Sequence, residues 1–287
     1  MKIAVTGGSG LLGRLVLRDL RERGYTAVSI DRVRAEHGWT YLIDLSDAAQ
    51  VYDALASIKP DAVIHLAADP APGGRPRHAQ FANNVLGTLA MLQATADFGI
   101  KKFVYASSEM AMGWTRGSKP ITHLPLTEED VIVPINSYAL GKHVCEVLCE
   151  STAAAHPEMT IVSLRINYLV FEDDYSRLAG ATAHFPSGEY NHWGYLDGRD
   201  AAKAARLAAE YGVPGHHVYN VAAPDTFIDI PTAEAMERIH KPVTMREGWP
   251  QFGSTVDSTK IQKELGWKAD FLWREQVALL TEEDPNS

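Results

Sequence analysis

Tyr138-Ala139-Leu140-Gly141-Lys142 sets a phenol and an ammonium four residues apart. On a helix that spacing stacks both side chains on one face, so the ammonium can approach the phenol and a cofactor ribose together. A phenol titrates near 10 and is a poor base at neutral pH. Lowering it to about 7 takes roughly 4 kcal/mol of differential stabilisation of the phenolate, within reach of an adjacent positive charge in a dry site. Ser108 closes the apolar run KKFVYASS (101–108). Its hydroxyl is expected to hold a substrate oxygen while Tyr138 takes the proton and a hydride leaves. Ser108, Tyr138 and Lys142 are thus the expected catalytic set.

A hydride needs an acceptor, and the first residues of the chain read as its binding site. Thr6-Gly7-Gly8-Ser9-Gly10-Leu11-Leu12-Gly13 lies between an apolar run, KIAVT (2–6), and a helical pattern. Gly7, Gly10 and Gly13 fit TGxxGxxG. Gly8, Gly10 and Gly13 also fit the looser dinucleotide fingerprint. Glycine serves there for a tight turn, for close approach of backbone to a pyrophosphate, and for intimate helix–strand packing. The pyrophosphate then meets a helix amino terminus, whose free N–H groups and dipole favour negative charge. Asp31 follows Gly13 by 18 residues at the end of the second apolar run. A carboxylate there can bond the ribose hydroxyls of NAD and would repel the extra phosphate of NADP. Arg32 and Arg34 lie where a guanidinium could accept that phosphate, yet NAD is the favoured cofactor. Asp44 can either reach an adenine amine or cap a strand end.

The elements that must position these groups alternate. Short β-branched runs separated by helical patterns imply βαβ units and a parallel sheet. Strands are expected at 2–6, 26–31, 40–44, 61–67, 101–108, 160–166 and 217–222. Helices are expected at about 11–23, 45–57, 80–98, 137–155, 197–211, 258–265 and 273–280. Residues 69–79, DPAPGGRPRHA, read as loop. The connection 109–136 is long for a compact domain, which points to a functional role.

With 287 residues and 46% apolar composition the chain can bury a sizeable core, which excludes disorder as its main state. No apolar stretch is long enough to span a bilayer, and the amino terminus lacks a secretion pattern, so a cytoplasmic protein without membrane partners is expected. A formal charge of -9 argues against a nucleic-acid partner. Cys145 and Cys149, four apart on a helical pattern, suit neither a disulfide nor a zinc site and read as core residues in a reduced compartment. His123, His184 and His192 have no ligand spacing, and no metal site is expected.

Taken in order, TGGSGLLG, HLAA (65–68), NNVLGTL (83–89), FVYASS (103–108), YALGK (138–142), LRIN (164–167) and STKIQKELGW (258–267) cover nearly the whole chain. That ordered set resembles the extended short-chain dehydrogenase/reductase family, the NAD-dependent epimerase/dehydratases. The resemblance implies an α/β, doubly wound parallel sheet (Rossmann) domain over 1–166. Residues 167–287 would complete the sheet and form a small carboxy-terminal substrate-binding lobe. It implies a homodimer through the helices at 80–98 and 137–155. Cofactor contacts fall to Gly7, Gly10, Leu11, Leu12, Gly13, Asp31, Arg32, Asp44, Leu45, Leu66, Ala67, Ala68, Asn84, Tyr138 and Lys142. Substrate contacts fall to Ser107, Ser108, Glu109, Asn167 and Arg177.

The chain departs from that family in two places. Met112 replaces an aromatic residue common after the fifth strand, and Glu109 directly follows the catalytic serine. Only about thirty residues separate Asn167 from the 197–200 segment, where nucleotide-sugar enzymes of the family generally have more. In this respect the chain looks like the uronate dehydrogenase branch, in which an asparagine stands where Glu109 is and an arginine grips the substrate carboxylate. Arg177 is the candidate for that arginine. An ionised Glu109 argues instead for a neutral, hydroxyl-bearing sugar, unless Arg177 or the loop residues Arg75, Arg77 and His78 neutralise the pocket. The leading expectation is an NAD-dependent oxidoreductase that oxidises a sugar or sugar acid. The alternative is a nucleotide-sugar epimerase or dehydratase with tightly bound NAD. A non-enzymatic dinucleotide sensor stands third, since such proteins usually lack an intact Ser/Tyr/Lys set.

Overall fold

The computed structural model describes residues 1–283 apart from 36–37, 71–75, 114–120, 131–132, 179–183 and 240–242. The expected alternation is present. The elements run β1 (Lys2–Thr6), α1 (Leu11–Glu22), β2 (Thr26–Asp31), β3 (Thr40–Leu42), α2 (Ala48–Ile58), β4 (Ala62–His65), α3 (Arg77–Asp97), β5 (Lys102–Ser108), β6 (His123–Leu124) and α4 (Ser137–Ala155). They continue with β7 (Thr160–Ile166), β8 (Leu169–Val170), α5 (Tyr175–Leu178), β9 (Leu196–Asp197), α6 (Gly198–Glu210), β10 (Gly215–Val221), α7 (Thr232–Ile239), β11 (Thr244–Met245), α8 (Thr259–Leu265) and α9 (Trp273–Glu283).

Seven strands form one sheet in the order β3-β2-β1-β4-β5-β7-β10, every neighbouring pair parallel. Strands buried on both faces read as continuous apolar runs, which is why their existence is plain in the sequence. One face packs Ile3, Val5, Val104 and Val162 against α1 and α6. The other packs Ala4, Val63, Phe103 and Ile161 against α2, α3 and α4, with Cys145 and Cys149 as free, buried thiols among them. A third apolar cluster, around Trp193, Tyr195, Phe227, Met236 and Trp273, lies off the sheet and gathers residues from 112 to 273. The strand order reverses between β1 and β4, and ligands of such sheets bind beyond the carboxyl ends at that point.

Several boundaries differ from expectation for local reasons. The second helix begins at Ala48 because the Asp47 carboxylate caps it, accepting from the amides of Ala49 and Gln50. The third begins at Arg77, so Arg77 and His78 are exposed first-turn residues rather than loop. Arg75 lies outside the described residues. β4 ends at His65 rather than 67, freeing residues 66–68 from the sheet. The pairs β6–β11 and β8–β9 were not expected, since two-residue strands carry no readable period.

Candidate active site

Two glycines fix the turn after β1. Gly7 has φ +69°, and a Cβ there would stand 2.9 Å from the Ala67 nitrogen. A Cβ on Gly13 would stand 2.1 Å from the Gly7 carbonyl oxygen. Only glycine lets α1 start this close to β1 and the 66–68 segment. The cap residue Gly10 offers no side-chain bond to the first turn of α1, so those amides are left for a ligand.

A continuous cavity of about 1020 Å³ runs from this turn to the far end of Tyr190 and Asn191. Its near wall includes Gly7, Gly10, Leu11, Leu12, Gly13, Asp31, Arg32, Asp44, Leu45, Leu66, Ala67 and Ala68. The Asp31 Oδ2 accepts from the Ser9 amide (3.0 Å), and Oδ1 from the amides of Arg32 (2.7 Å) and Val33 (3.2 Å). A carboxylate has about four lone-pair sites, so Oδ2 keeps capacity for a ribose hydroxyl. Arg32 reaches Asp69, with Nη2 3.6 Å from Oδ1. Asp44 lies two residues past the end of β3, lines the cavity and accepts from the Ser46 amide and hydroxyl. Asn84 is corrected. It is absent from the cavity wall, and its amide holds the backbone of Asp69 at 2.7 and 3.2 Å. An uncapped helix terminus, a glycine cradle that a Cβ would fill and a carboxylate at the end of β2 together fit NAD.

Ser108, Tyr138 and Lys142 all line the cavity. Asn136 caps α4 through a bond from the Ala139 amide (2.8 Å), placing Tyr138 in the first turn and Lys142 one turn on. Tyr138 is 7% exposed, Lys142 is buried, and the Ser108 hydroxyl lies close enough to lower the Tyr138 phenol's proton affinity. The Ser108 Oγ accepts from the Met110 amide (3.2 Å), so this serine caps the 3-10 turn at 109–112. The Lys142 Nζ donates to the Ala106 carbonyl and lies 5.8 Å from the centre of the Tyr138 ring.

The electrostatics correct one expectation. Burial pushes the Tyr138 phenol up to about 12, against the lowering bond from Ser108 and with Glu109 adding to the rise. Burial also brings Lys142 down to about 8, partly opposed by Cys145 and Glu146. In this buried site desolvation outweighs the lowering by Ser108, so the side chains around the phenol do not bring it near neutral pH.

Behind these groups lies a buried network that spacing hides. Glu146, one turn past Lys142, accepts from the Ser107 hydroxyl (2.5 Å) and from Arg165 through Nε (3.0 Å) and Nη2 (2.9 Å). It ties α4 to the ends of β5 and β7, and Ser107, though it borders the cavity, turns its hydroxyl to this network. The residues 138, 142 and 146 share one helical face, the one signal that could have exposed Glu146.

The far wall holds Glu109, Asn167, Tyr168, Phe171, Tyr190 and Asn191. Tyr168, Phe171, Tyr190 and Asn191 were missed. Arg177 is corrected: its side chain is 63% exposed and absent from the cavity wall. Its guanidinium pairs with Asp174 at 3.0 Å and donates to the Tyr168 hydroxyl at 2.9 Å. Burial raises the Glu109 carboxyl well above its ordinary value, with the Tyr168 backbone opposing the rise, which disfavours the expected carboxylate. Among the described residues no cluster of side chains suits a metal ion, and no helix is long and apolar enough to cross a membrane.

A doubly wound sheet with a dinucleotide cradle and a Ser–Tyr–Lys set at its carboxyl edge defines a class of coenzyme-dependent α/β proteins. Residues 3–222 match the model of the NAD dependent epimerase/dehydratase family, and the chain belongs to that family. It is 30% identical over 182 residues to UDP-glucose 4-epimerase 2 of Arabidopsis thaliana, an alignment covering 57% of this chain and 50% of that one. The chain thus spans about half the length of the curated relatives it matches. Its fold is like that of UDP-glucose 4-epimerase from Thermotoga maritima, solved with UDP-glucose, with TM-score 0.76, 23% identity and 98% of each chain covered. A short-chain dehydrogenase/reductase superfamily protein from Agrobacterium tumefaciens, solved with NAD, is similar at TM-score 0.75 and 21% identity over both full chains.

Proposed function

We propose that this protein inverts a hydroxyl-bearing carbon of a nucleotide sugar, an epimerisation that runs through oxidation and reduction at that carbon. The observation that carries the reading is the meeting of Ser108, Tyr138 and Lys142 in one dry cavity that continues into the glycine cradle. The relatives, UDP-glucose 4-epimerases, favour this over the oxidation of a uronate. Arg177 points the same way, because the arginine that a uronate requires is engaged outside the cavity. When bound, NAD would supply the hydride acceptor and, oxidised, a positive charge to the cavity. Tyr138 takes the hydroxyl proton, Ser108 holds the oxygen as its bonding changes, and Lys142 anchors a ribose and favours the phenolate.

A second reading, an NAD-dependent dehydrogenase of a free sugar, has one observation behind it. Only about thirty residues join Asn167 to α6, a short span in which to hold a nucleotide. The two readings differ in net redox change. With UDP-galactose and NAD, the proposal expects UDP-glucose to form with no lasting growth of reduced-nicotinamide absorbance. Lasting growth on glucose or glucuronate, without interconversion of the nucleotide sugars, would replace it with the second reading.

A further inference from the structure

His65, the last residue of β4, is 1% exposed and bonded through both ring nitrogens. Its Nδ1 lies 2.8 Å from the Thr6 Oγ1 at the end of β1, and its Nε2 lies 3.1 Å from the Thr88 Oγ1 on α3. None of these three residues lines the cavity. An imidazole between two hydroxyls can run its bonds in either sense, since each hydroxyl both donates and accepts.

Bonds further out fix the sense. The Thr88 hydroxyl donates its one proton to the Asn84 carbonyl at 2.7 Å, so toward His65 it accepts, and Nε2 carries a proton. A second ring proton would be a buried charge facing the Lys142 ammonium of α4, which lies 5.0 Å from the centre of the Tyr105 ring stacked on His65. Burial and that ammonium bring His65 down to about 3, in keeping with a neutral ring. Nδ1 is therefore bare and accepts the Thr6 proton, which leaves a Thr6 lone pair for the Ala67 amide at 3.2 Å. The bonds run one way, from Ala67 through Thr6, His65 and Thr88 to the Asn84 carbonyl. The Asn84 side chain meanwhile holds both backbone groups of Asp69, at 2.7 and 3.2 Å. The segment that leaves β4 is thus moored to a single residue of α3 at Ala67 and again at Asp69. Ala67 is also where the cradle is tightest, its nitrogen 2.9 Å from where a Cβ on Gly7 would stand.

We propose that His65, held by Thr88 with its proton on Nε2, is a positioning residue of the coenzyme cradle, aiming the Thr6 hydroxyl so that its lone pair fixes the Ala67 amide. The inference rests on the glycine turn and the 66–68 segment being the NAD site, and adds what sets the spacing between them. If Thr88 offers no acceptor, the ring proton moves to Nδ1, which then competes with the Ala67 amide for the Thr6 oxygen.

The test is NAD affinity of variants outside the cavity wall, read beside the nitrogen-15 spectrum of the His65 ring. Wild type should show a neutral ring protonated at Nε2. Thr88→Val keeps the side-chain shape and should weaken NAD about tenfold, with the ring proton displaced toward Nδ1, whereas Thr88→Ser should stay within about twofold of wild type. If T88V does not fold, His65 itself decides the matter. Asn in its place keeps an acceptor for Thr6 and should hold NAD affinity within a few fold, while Gln keeps only the donor to Thr88 and should lose about tenfold. A folded T88V with wild-type affinity, a T88S as impaired as T88V, an H65Q that outperforms H65N, or a wild-type ring protonated at Nδ1 each overturns the proposal. A wild type that binds no NAD sinks the cofactor reading and takes this inference with it.

Discussion

At its cofactor end the cavity wall is mostly backbone: the turn through Gly7 and Gly13, the open amides of α1, and the 66–68 segment released from β4. At its substrate end the wall is side chains, with Glu109 from the end of β5, Asn167 and Tyr168 after β7, and Tyr190 and Asn191 from a 3-10 turn. A backbone site recognises what every dinucleotide shares and tolerates no added atom. A side-chain site can be rewritten one residue at a time. Tyr138 sits at the junction, so its loss should do the most harm. Tyr138→Phe should cut turnover by about 10²–10⁴ while NAD binding stays within a few fold. Turnover that survives the change would break the distinction between binding wall and reacting group.

The next largest effect should come from behind both walls. Glu146→Ala strips the buried Arg165 guanidinium of its carboxylate and Ser107 of its acceptor. Leaving a buried charge uncompensated costs about 3–5 kcal/mol, which a denaturation midpoint would show. Because the network braces the ends of β5 and β7 rather than the glycine turn, substrate turnover should fall further than NAD affinity in the surviving folded protein. An equal fall in both would mean that the two ends do not act separately.

Lys142 sets stability against function. Its ordinary value of 10.5 is brought to about 8 by burial, so the unfolded chain holds that proton more tightly than the folded one. Stability therefore rises with pH between about 8 and 10.5, and the buried ammonium is most costly below 8. Lys142→Met should raise the stability of the cofactor-free protein at pH 7 by up to about 3 kcal/mol, less the lost bond to Ala106. The gap to wild type should close by pH 10.5, while turnover is lost throughout. A variant no more stable at pH 7 would show that burial does not burden this ammonium.

The contrast between the two ends also decided how much of the molecule could be read from sequence. The sheet was legible because Ile3, Val63 and Phe103 belong to unbroken apolar runs, and the cradle because glycine spacing reports a backbone constraint. Tyr138 and Lys142 were legible because one helix carries both. Tyr168, Tyr190 and Asn191 were not, since they line one cavity from places over twenty residues apart, and no spacing records that. Glu109 was legible as a residue but not as a buried one, because its neighbours in space, not in sequence, strip it of water. Arg177 was drawn into the site by its place in the chain, and Asp174 and Tyr168 hold it outside.

Asp31 tests the one place in the backbone-built end where a side chain reads the ligand. Its carboxylate accepts three backbone amides, from Ser9, Arg32 and Val33, so it shapes the turn as well as lining the cavity. A serine hydroxyl cannot replace that acceptor set, yet it removes the negative charge that would oppose a 2′-phosphate. Asp31→Ser should therefore weaken NAD about tenfold and weaken NADP much less, moving the ratio of the two dissociation constants toward NADP. Arg32 restrains the change, because its guanidinium is directed to Asp69 rather than left open for a phosphate. Adding Asp69→Asn to Asp31→Ser should release it and carry the ratio a few fold further. If both affinities fall together, Asp31 acts on the turn alone, and recognition at this end is backbone throughout.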